Sequence, residues 1–315
     1  MRGFLKHGYR KKEAPEEIVL DCDASDDPCH GQQVFAFFHG KYHQYMYHPL
    51  FFFEGHTGAL LSARLRPGNA HCAEGIPSEL RRLVPRLRRQ FPKSQLSYRV
   101  DAALAMPEIY QTLESLNVRY AMGISTNAVF KRKTERWLKR AQRKYARTQE
   151  ALRRYYGFRH RARSWTKDRR ILVKIEVGPL GHNVRFLVTN RPGKSAEIFQ
   201  WYEHRGDCEN YIKEFKRDIL GDRLSCHAYR ANALRLQLHA LAYQLMALFR
   251  RHALRTTQLA HARMGTIRLR LFKVSARFKR TARRLWFHLS SSWPGRYLFE
   301  QVCRELARIP KTVPT

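Results

Sequence analysis

Two features of the first 125 residues predict an α/β fold with a mixed central sheet flanked by helices. Strand-length runs of alternating polarity recur between helix-period segments, and acidic residues stand at the ends of those strands. A third feature, a change of character over residues 126–192 that is densely basic from Lys131 to Arg170, predicts an insertion of a helix plus a β-hairpin ahead of the next long helix.

Residues 17–23, EIVLDCD, alternate, with Ile18, Leu20 and Cys22 on one face and Val19, Asp21 and Asp23 on the other. Strand-like runs follow at 33–40 (QVFAFFHG), 47–55 (YHPLFFFEG) and 59–66 (ALLSARLR), the last two joined by the turn His56-Thr57-Gly58. The segment 77–90 reads as a helix capped by Ser78 and disturbed by Pro85. LSYRVD (96–101) alternates again, with Ser97, Arg99 and Asp101 on one face. A helix at 107–116 and a strand at 118–124 follow. In the basic stretch, helical propensity runs through 139–156, and strands at 169–178 and 184–190 flank the turn Gly178-Pro179-Leu180-Gly181. A helix spans about Ser195 to Gly221. Residues 232–251 have apolar side chains at helical period, so Leu234–Leu248 should be core. A basic tail over 266–291 precedes a final short helix. The organisation expected is an N-terminal remnant (1–16), the first part of the core (17–125), the insertion (126–192), the completion of the core (193–251) and a basic C-terminal region (252–315).

The formal charge of +34, from 60 Lys+Arg against 26 Asp+Glu, points to a polyanionic partner, and nucleic acid is the commonest. No long uncharged apolar span and no secretory pattern is visible, which argues against a membrane partner. The six cysteines are scattered without a CxxC pair, as expected of reduced thiols in a cytoplasmic protein with no zinc or disulfide framework.

The most informative stretch is WYEHRGDCENYIKEFK, residues 201–216. Tyr202, Arg205, Glu209 and Lys216 follow at steps of three, four and seven, which on an uninterrupted α-helix return to one face. A carboxylate flanked by a guanidinium and an ammonium can hold a divalent cation while its neighbours grip phosphate oxygens. Asp21, Asp23, Asp26 and Asp27 crowd the first strand and its exit, and Asp101 ends another strand. Two metal ions about 4 Å apart need two or three carboxylates from separate elements, and a strand acid, a strand-end acid and a helix acid supply them.

On these residues the chain resembles insertion-sequence DDE transposases with an RNase H-like core and a Y-R-E-K signature, over about Val19 to Leu306. VLDCDAS resembles the first-acid segment and implies Asp23, with Asp21, one strand repeat earlier, as the alternative. YRVDAALAMPEIYQTLE resembles the second-acid segment and implies Asp101, although Ala102-Ala103 departs from the usual small polar residue and glycine. RGDCENYIKEFK matches the third-acid helix and implies Glu209. The resemblance implies that Asp23, Asp101 and Glu209 are catalytic and hold Mg2+, with Mn2+ able to substitute. It implies phosphate contacts by Arg205 and Lys216, a DNA contact by Tyr202, and cleavage at transposon ends followed by strand transfer. Double-stranded DNA at transposon ends and target is the expected partner, bound by a dimer in the cytoplasm at the nucleoid, with no small-molecule substrate. The alternative is a truncated, inactive remnant that only binds DNA. Lys213, one turn past the acid, is a further DNA-binding candidate; His30 reads as a turn residue or a metal or phosphate contact. Trp165 and Trp201 are core residues or base-stacking platforms, and the Lys131–Arg170 run is a DNA-tracking surface or a solvated face.

Overall fold

The EIVLDCD alternation becomes the central strand of the molecule. In the computed structural model, which describes residues 14–309, β1 (Glu17–Ala24) lies inside an eight-stranded mixed sheet. Around it, β5 (Leu50–Glu54) pairs antiparallel on one side and β7 (Gln95–Val100) parallel on the other. β6 (Leu60–Arg64) continues beyond β5, and β8 (Arg119–Ile124) lies parallel to β7. The expected N-terminal remnant falls mostly outside the described residues.

The face of β1 bearing Ile18, Leu20 and Cys22 packs under three helices, α1 (Ile76–Gln90), α2 (Pro107–Ser115) and α3 (Ala128–Thr148). The opposite face is covered by α4 (Ser195–Glu203), α5 (Asp207–Arg217) and α6 (Tyr229–Ala253), through Phe199, Phe215 and Tyr243 among others. The result is a three-layer α/β arrangement in which Asp21 on β1 and Arg99 on β7 face the α4–α5–α6 side.

Several expectations need correction. The run 33–40 is mostly loop, with only β3 (Phe37–His39) extended, and Phe35 sits at φ 65°. Pro49 divides 47–55, so that β4 (Gln44–Tyr47) leaves the main sheet and joins β3 and β2 (Asp27–Pro28) in a small one. α1 starts at Ile76 behind a left-handed Gly75, and Ser78 lies inside it rather than capping it. The helix expected through 156 stops at Thr148, where Gln149 turns left-handed; β9 (Leu152–His160) follows. Its aromatics Tyr155, Tyr156 and Phe158 gain more from packing on a sheet than from a helix. Within the expected insertion, β10 (Arg169–Gly178) and β11 (Gly181–Thr189) form the hairpin, with β9 paired to β10. β11 pairs with β8 and extends the main sheet by three strands.

The other edge of that sheet, β6, is closed by α6. Gln237 donates to the Ala63 carbonyl at 2.6 Å, and Gln244 donates to that of Leu60. Edge-strand acceptors are thereby satisfied. The leucines of α6 are not all core, contrary to expectation: Leu236 is buried, but Leu234, Leu238, Leu241 and Leu245 face solvent.

One buried ion pair ties these elements together. Asp21 on β1 stands beside Arg99 on β7 in register, and the guanidinium grips it through Nε at 2.5 Å and Nη2 at 2.8 Å. Its third nitrogen donates to the Trp201 carbonyl at the end of α4, at 2.7 Å. Gly55 leaves room for the pair, since a Cβ there would come within 2.6 Å of Asp21 Oδ2. Burial pushes the Asp21 carboxyl up to about 6 against the hydrogen bonds and charge of Arg99.

Removing the guanidinium strands a buried carboxylate. Arg99→Ala is expected to lower stability by about 3–5 kcal/mol at pH 8, read from urea midpoints. Burial raises the carboxyl's folded pKa above its unfolded value, so the native state holds the proton more tightly, and the deficit should shrink at pH 5. A deficit independent of pH would contradict this account.

Candidate active site

The strand acids reach the site through the sheet's own geometry. Asp23 projects from the same face of β1 as Asp21, one repeat further on, where the strand leaves the core. Asp101 directly follows β7, the parallel neighbour of β1, and caps a 3-10 turn over Ala102–Leu104 by accepting from the Ala103 amide at 3.0 Å. The turn therefore forms with Ala102-Ala103 in place of the usual glycine. Asp21 is fully occupied by Arg99, whereas Asp23 is only partly buried and lines an open cleft.

The signature does not lie on one uninterrupted helix. α4 ends at Glu203, a 3-10 turn occupies His204–Gly206, and α5 begins at Asp207. Three residues per turn instead of 3.6 shifts the phase between the two halves, and the four side chains separate accordingly. Tyr202 is turned inward: its hydroxyl donates to the Val100 carbonyl at 3.1 Å, beside Asp101. Gly123 permits that approach, because a Cβ there would sit 2.7 Å from the phenol oxygen. Arg205 packs near the Tyr202 ring and points Nη1 toward Glu209 Oε1 at 3.4 Å. Glu209 and Lys213 are exposed on the cleft side of α5. Lys216 reaches across to β1's exit, donating to Asp26 Oδ1 and to the Asp26 carbonyl, both at 2.8 Å.

Asp23 shares a cleft with Glu209 and feels the charges of both Glu209 and Asp101. Burial pushes Asp23 up to about 6, and repulsion from Asp101 and from Glu209 adds to the rise, against the Ala24 amide and the charge of Arg205. Arg205 is held fully protonated: burial alone would lower its pKa, but Tyr202, Asp101 and Glu209 together raise it. Asp23, Asp26, Glu209, Lys213, Lys216 and Asp222 line a cleft of about 460 Å³. Among the described residues, no three His, Cys, Asp or Glu side chains stand close enough to form a ready cation cage. The acids are hard oxygen donors that repel one another, and the cation nearest them is Arg205. Carboxylate oxygens are the donor type that a hard divalent ion takes.

Sequence reading named Asp26 and Asp27 in the acidic run without giving them a role, and it missed Tyr42 and Asp222. Asp26 is the partner of Lys216, whose hydrogen bond and charge outweigh burial and hold its carboxyl below the usual range. Asp27 is buried with both oxygens unpartnered, and burial together with Asp222 pushes it up to about 8. Tyr42, at the tip of the β3–β4 hairpin, packs against His39 and His48, and burial together with the charges of Asp26, Asp23 and Asp101 raises its phenol pKa. A one-dimensional pattern holds no signal for a residue brought in by a hairpin. His30 is exposed in its turn. Trp165 packs against Tyr110 and under Arg169. Trp201 is held by Arg191 at 3.9 Å and by Glu17. Both tryptophans are therefore engaged with the protein itself.

A family model described as transposase DDE domain, group 1, matches residues 2–311. No curated protein matches the chain.

A raised carboxyl pKa favours folding below the unfolded value near 4, and that contribution is lost as pH rises through about 6. Asp23→Asn should therefore unfold at a higher temperature than the parent at pH 8 without metal, and the two should coincide near pH 4. Mn2+ affinity by calorimetry should climb from pH 5 and level off above about 6.5, where Asp23 has lost its proton. Equal melting temperatures at pH 8 would show that Asp23 is not under this repulsion.

Proposed function

The chain belongs to the family of group 1 transposase DDE domains, and from that premise we propose that it cuts DNA at transposon ends and joins them to target DNA. The observation that supports this reading is Asp23 and Glu209, from separate elements, lining one cleft with Lys213, Lys216 and Arg217, with Asp101 near enough for its charge to act on Asp23. Asp23, Asp101 and Glu209 would hold Mg2+, or Mn2+ in its place, and the bound ions supply activation of the attacking oxygen and stabilisation of the leaving one.

The chain's own residues bind, orient and balance charge. Lys213 and Arg217 offer free-reaching cations along the cleft for phosphate oxygens. Arg205, poised between Asp101 and Glu209, can swing to a non-bridging oxygen once another cation relieves it. Lys216 supports the exit of β1 through Asp26 and remains within reach of a phosphate. Tyr202 acts by anchoring α4 to the end of β7, so that the third acid keeps its place relative to the second. The outer face of α3, rich in Lys and Arg and with Lys139–Glu135 as its ion pair, adds a surface for duplex DNA. Cleavage and joining at two ends fit a dimer on DNA at the nucleoid. No helix among the described residues is long and apolar enough to cross a membrane.

A second reading, an inactive derivative that only binds DNA, draws on Glu209 facing Arg205 and on the lack of a ready cation cage. Nicking of a labelled transposon end in Mg2+ or Mn2+ separates the two.

Glu209→Ala is expected to reduce end cleavage and strand transfer at least a hundredfold, the usual scale for one transition-state charge partner, with DNA affinity nearly unchanged. Lys213→Ala should weaken binding to all duplexes and lower the slope of log K against log salt by about 1. Parent protein that binds DNA but shows no nicking under either metal would establish the inactive reading. A Glu209→Ala protein that still joins strands would remove that residue from the site.

A further inference from the structure

Two apolar faces of this chain are left uncovered among the described residues. On α6, Leu234, Leu238, Leu241 and Leu245 are between 45% and 62% exposed. Their steps of four, three and four set them in a line along the helix, with Leu234 and Leu241 bordering the groove between α6 and β6. The second face belongs to β12 (Ala276–Arg280) and β13 (Leu285–Leu289), a hairpin paired with no other strand, in which every residue is exposed. Its register sets Ala276 opposite Leu289, Phe278 opposite Phe287 and Arg280 opposite Leu285. By alternation these residues form a mainly apolar face, and Arg277, Lys279, Trp286 and His288 form a basic one. A two-stranded hairpin alone in water is marginal, so this one needs something to pack on.

We propose that the apolar face of the hairpin packs on the α6 leucine stripe of a second copy, each chain lending its hairpin to the other. The inference rests on the dimer in the functional reading and names its contact. Dimensions agree: twelve helical residues and a five-residue strand each span about 17 Å. Charge agrees as well. Between residues 232 and 249 the sole Lys, Arg, Asp or Glu is Arg235, in a chain of net charge +34. Arg235 is engaged with Ser225, and burial followed by Arg235 lowers the pKa of His239, which keeps that ring neutral. Two strongly cationic molecules meet with least repulsion on such a surface. Stripe against stripe is the poorer fit, since four leucines make under two heptads where a coiled coil needs about three or four. Reciprocal exchange uses both apolar faces twice and leaves the basic face of each hairpin outward, toward DNA.

Light scattering on the full chain, with and without duplex DNA, should show a dimer, and Leu238→Glu with Leu241→Glu should raise its dissociation constant at least tenfold with helical circular dichroism retained. In a Cys303→Ser background, Leu241→Cys protein mixed with Phe287→Cys protein should give a disulfide-linked dimer on mild oxidation, and neither variant alone should. Cross-linking by Leu241→Cys alone, or none in the mixture, would overturn the exchange while a scattering dimer still stood. A monomer both with and without DNA would remove the dimer itself.

Discussion

Arg99 is the constraint on which the rest of the site depends. Its guanidinium joins Asp21 on β1 to the Trp201 carbonyl in the last turn of α4 across the strand that leads to Asp101. The two strands that deliver Asp23 and Asp101, and the helix that precedes the Glu209 helix, are thus fixed by one side chain. A buried ion pair adds little net stability over well-packed apolar residues, so its value here is directional. Apolar packing between α4 and the sheet would tolerate sliding by a fraction of a turn, whereas a planar fork with acceptors on two elements does not. Around the same point, Trp201 donates to Glu17 and stacks under Arg191, which fixes the end of α4 from a further side.

Beyond that anchor the site is deliberately unsettled. Asp23 is raised by burial and by two neighbouring acids, and Asp27 is buried without a partner. Such groups oppose folding, and they persist because the surrounding core over-determines their positions: Val19, Leu20 and Cys22 are buried along the same strand. Arg205 softens the repulsion as a movable charge. A guanidinium is a poor substitute for a small divalent ion, because it cannot approach three carboxylates equally.

The fold was legible where periodicity and burial agree. Alternation in EIVLDCD and LSYRVD assigned both strands and the faces of Asp21, Asp23, Arg99 and Asp101, because each strand has one face under α1–α3 and the other under α4–α6. The spacing of Tyr202, Arg205, Glu209 and Lys216 was visible too, but their distribution was not. A three-residue 3-10 turn at His204–Gly206 breaks the phase, so Tyr202 ends in the interior and Glu209 at the cleft. Propensity likewise carried the α3 helix too far: Arg and Tyr side chains suit a helix locally, and only the vacant edge of β10 makes Leu152–His160 a strand. Tyr42 and Asp222 arrive by tertiary folding alone.

The leucines of α6 show how charge and apolarity divide a surface. Helical period alone marks them as core, since the helix is apolar around much of its circumference. Only one side of a helix can face a sheet, however, and Leu236, Tyr243, Gln237 and Gln244 already occupy it. In a chain this cationic, any surface meant for DNA gains from more Lys and Arg, and any surface meant for protein loses by them. The α3 outer face and the α6 stripe lie at these two extremes: the first is dense in cations, the second nearly free of charge. Net charge of this size therefore does more than attract a polyanion. It confines protein–protein contact to the few neutral patches, so an exposed leucine line carries more meaning here than it would on a neutral protein.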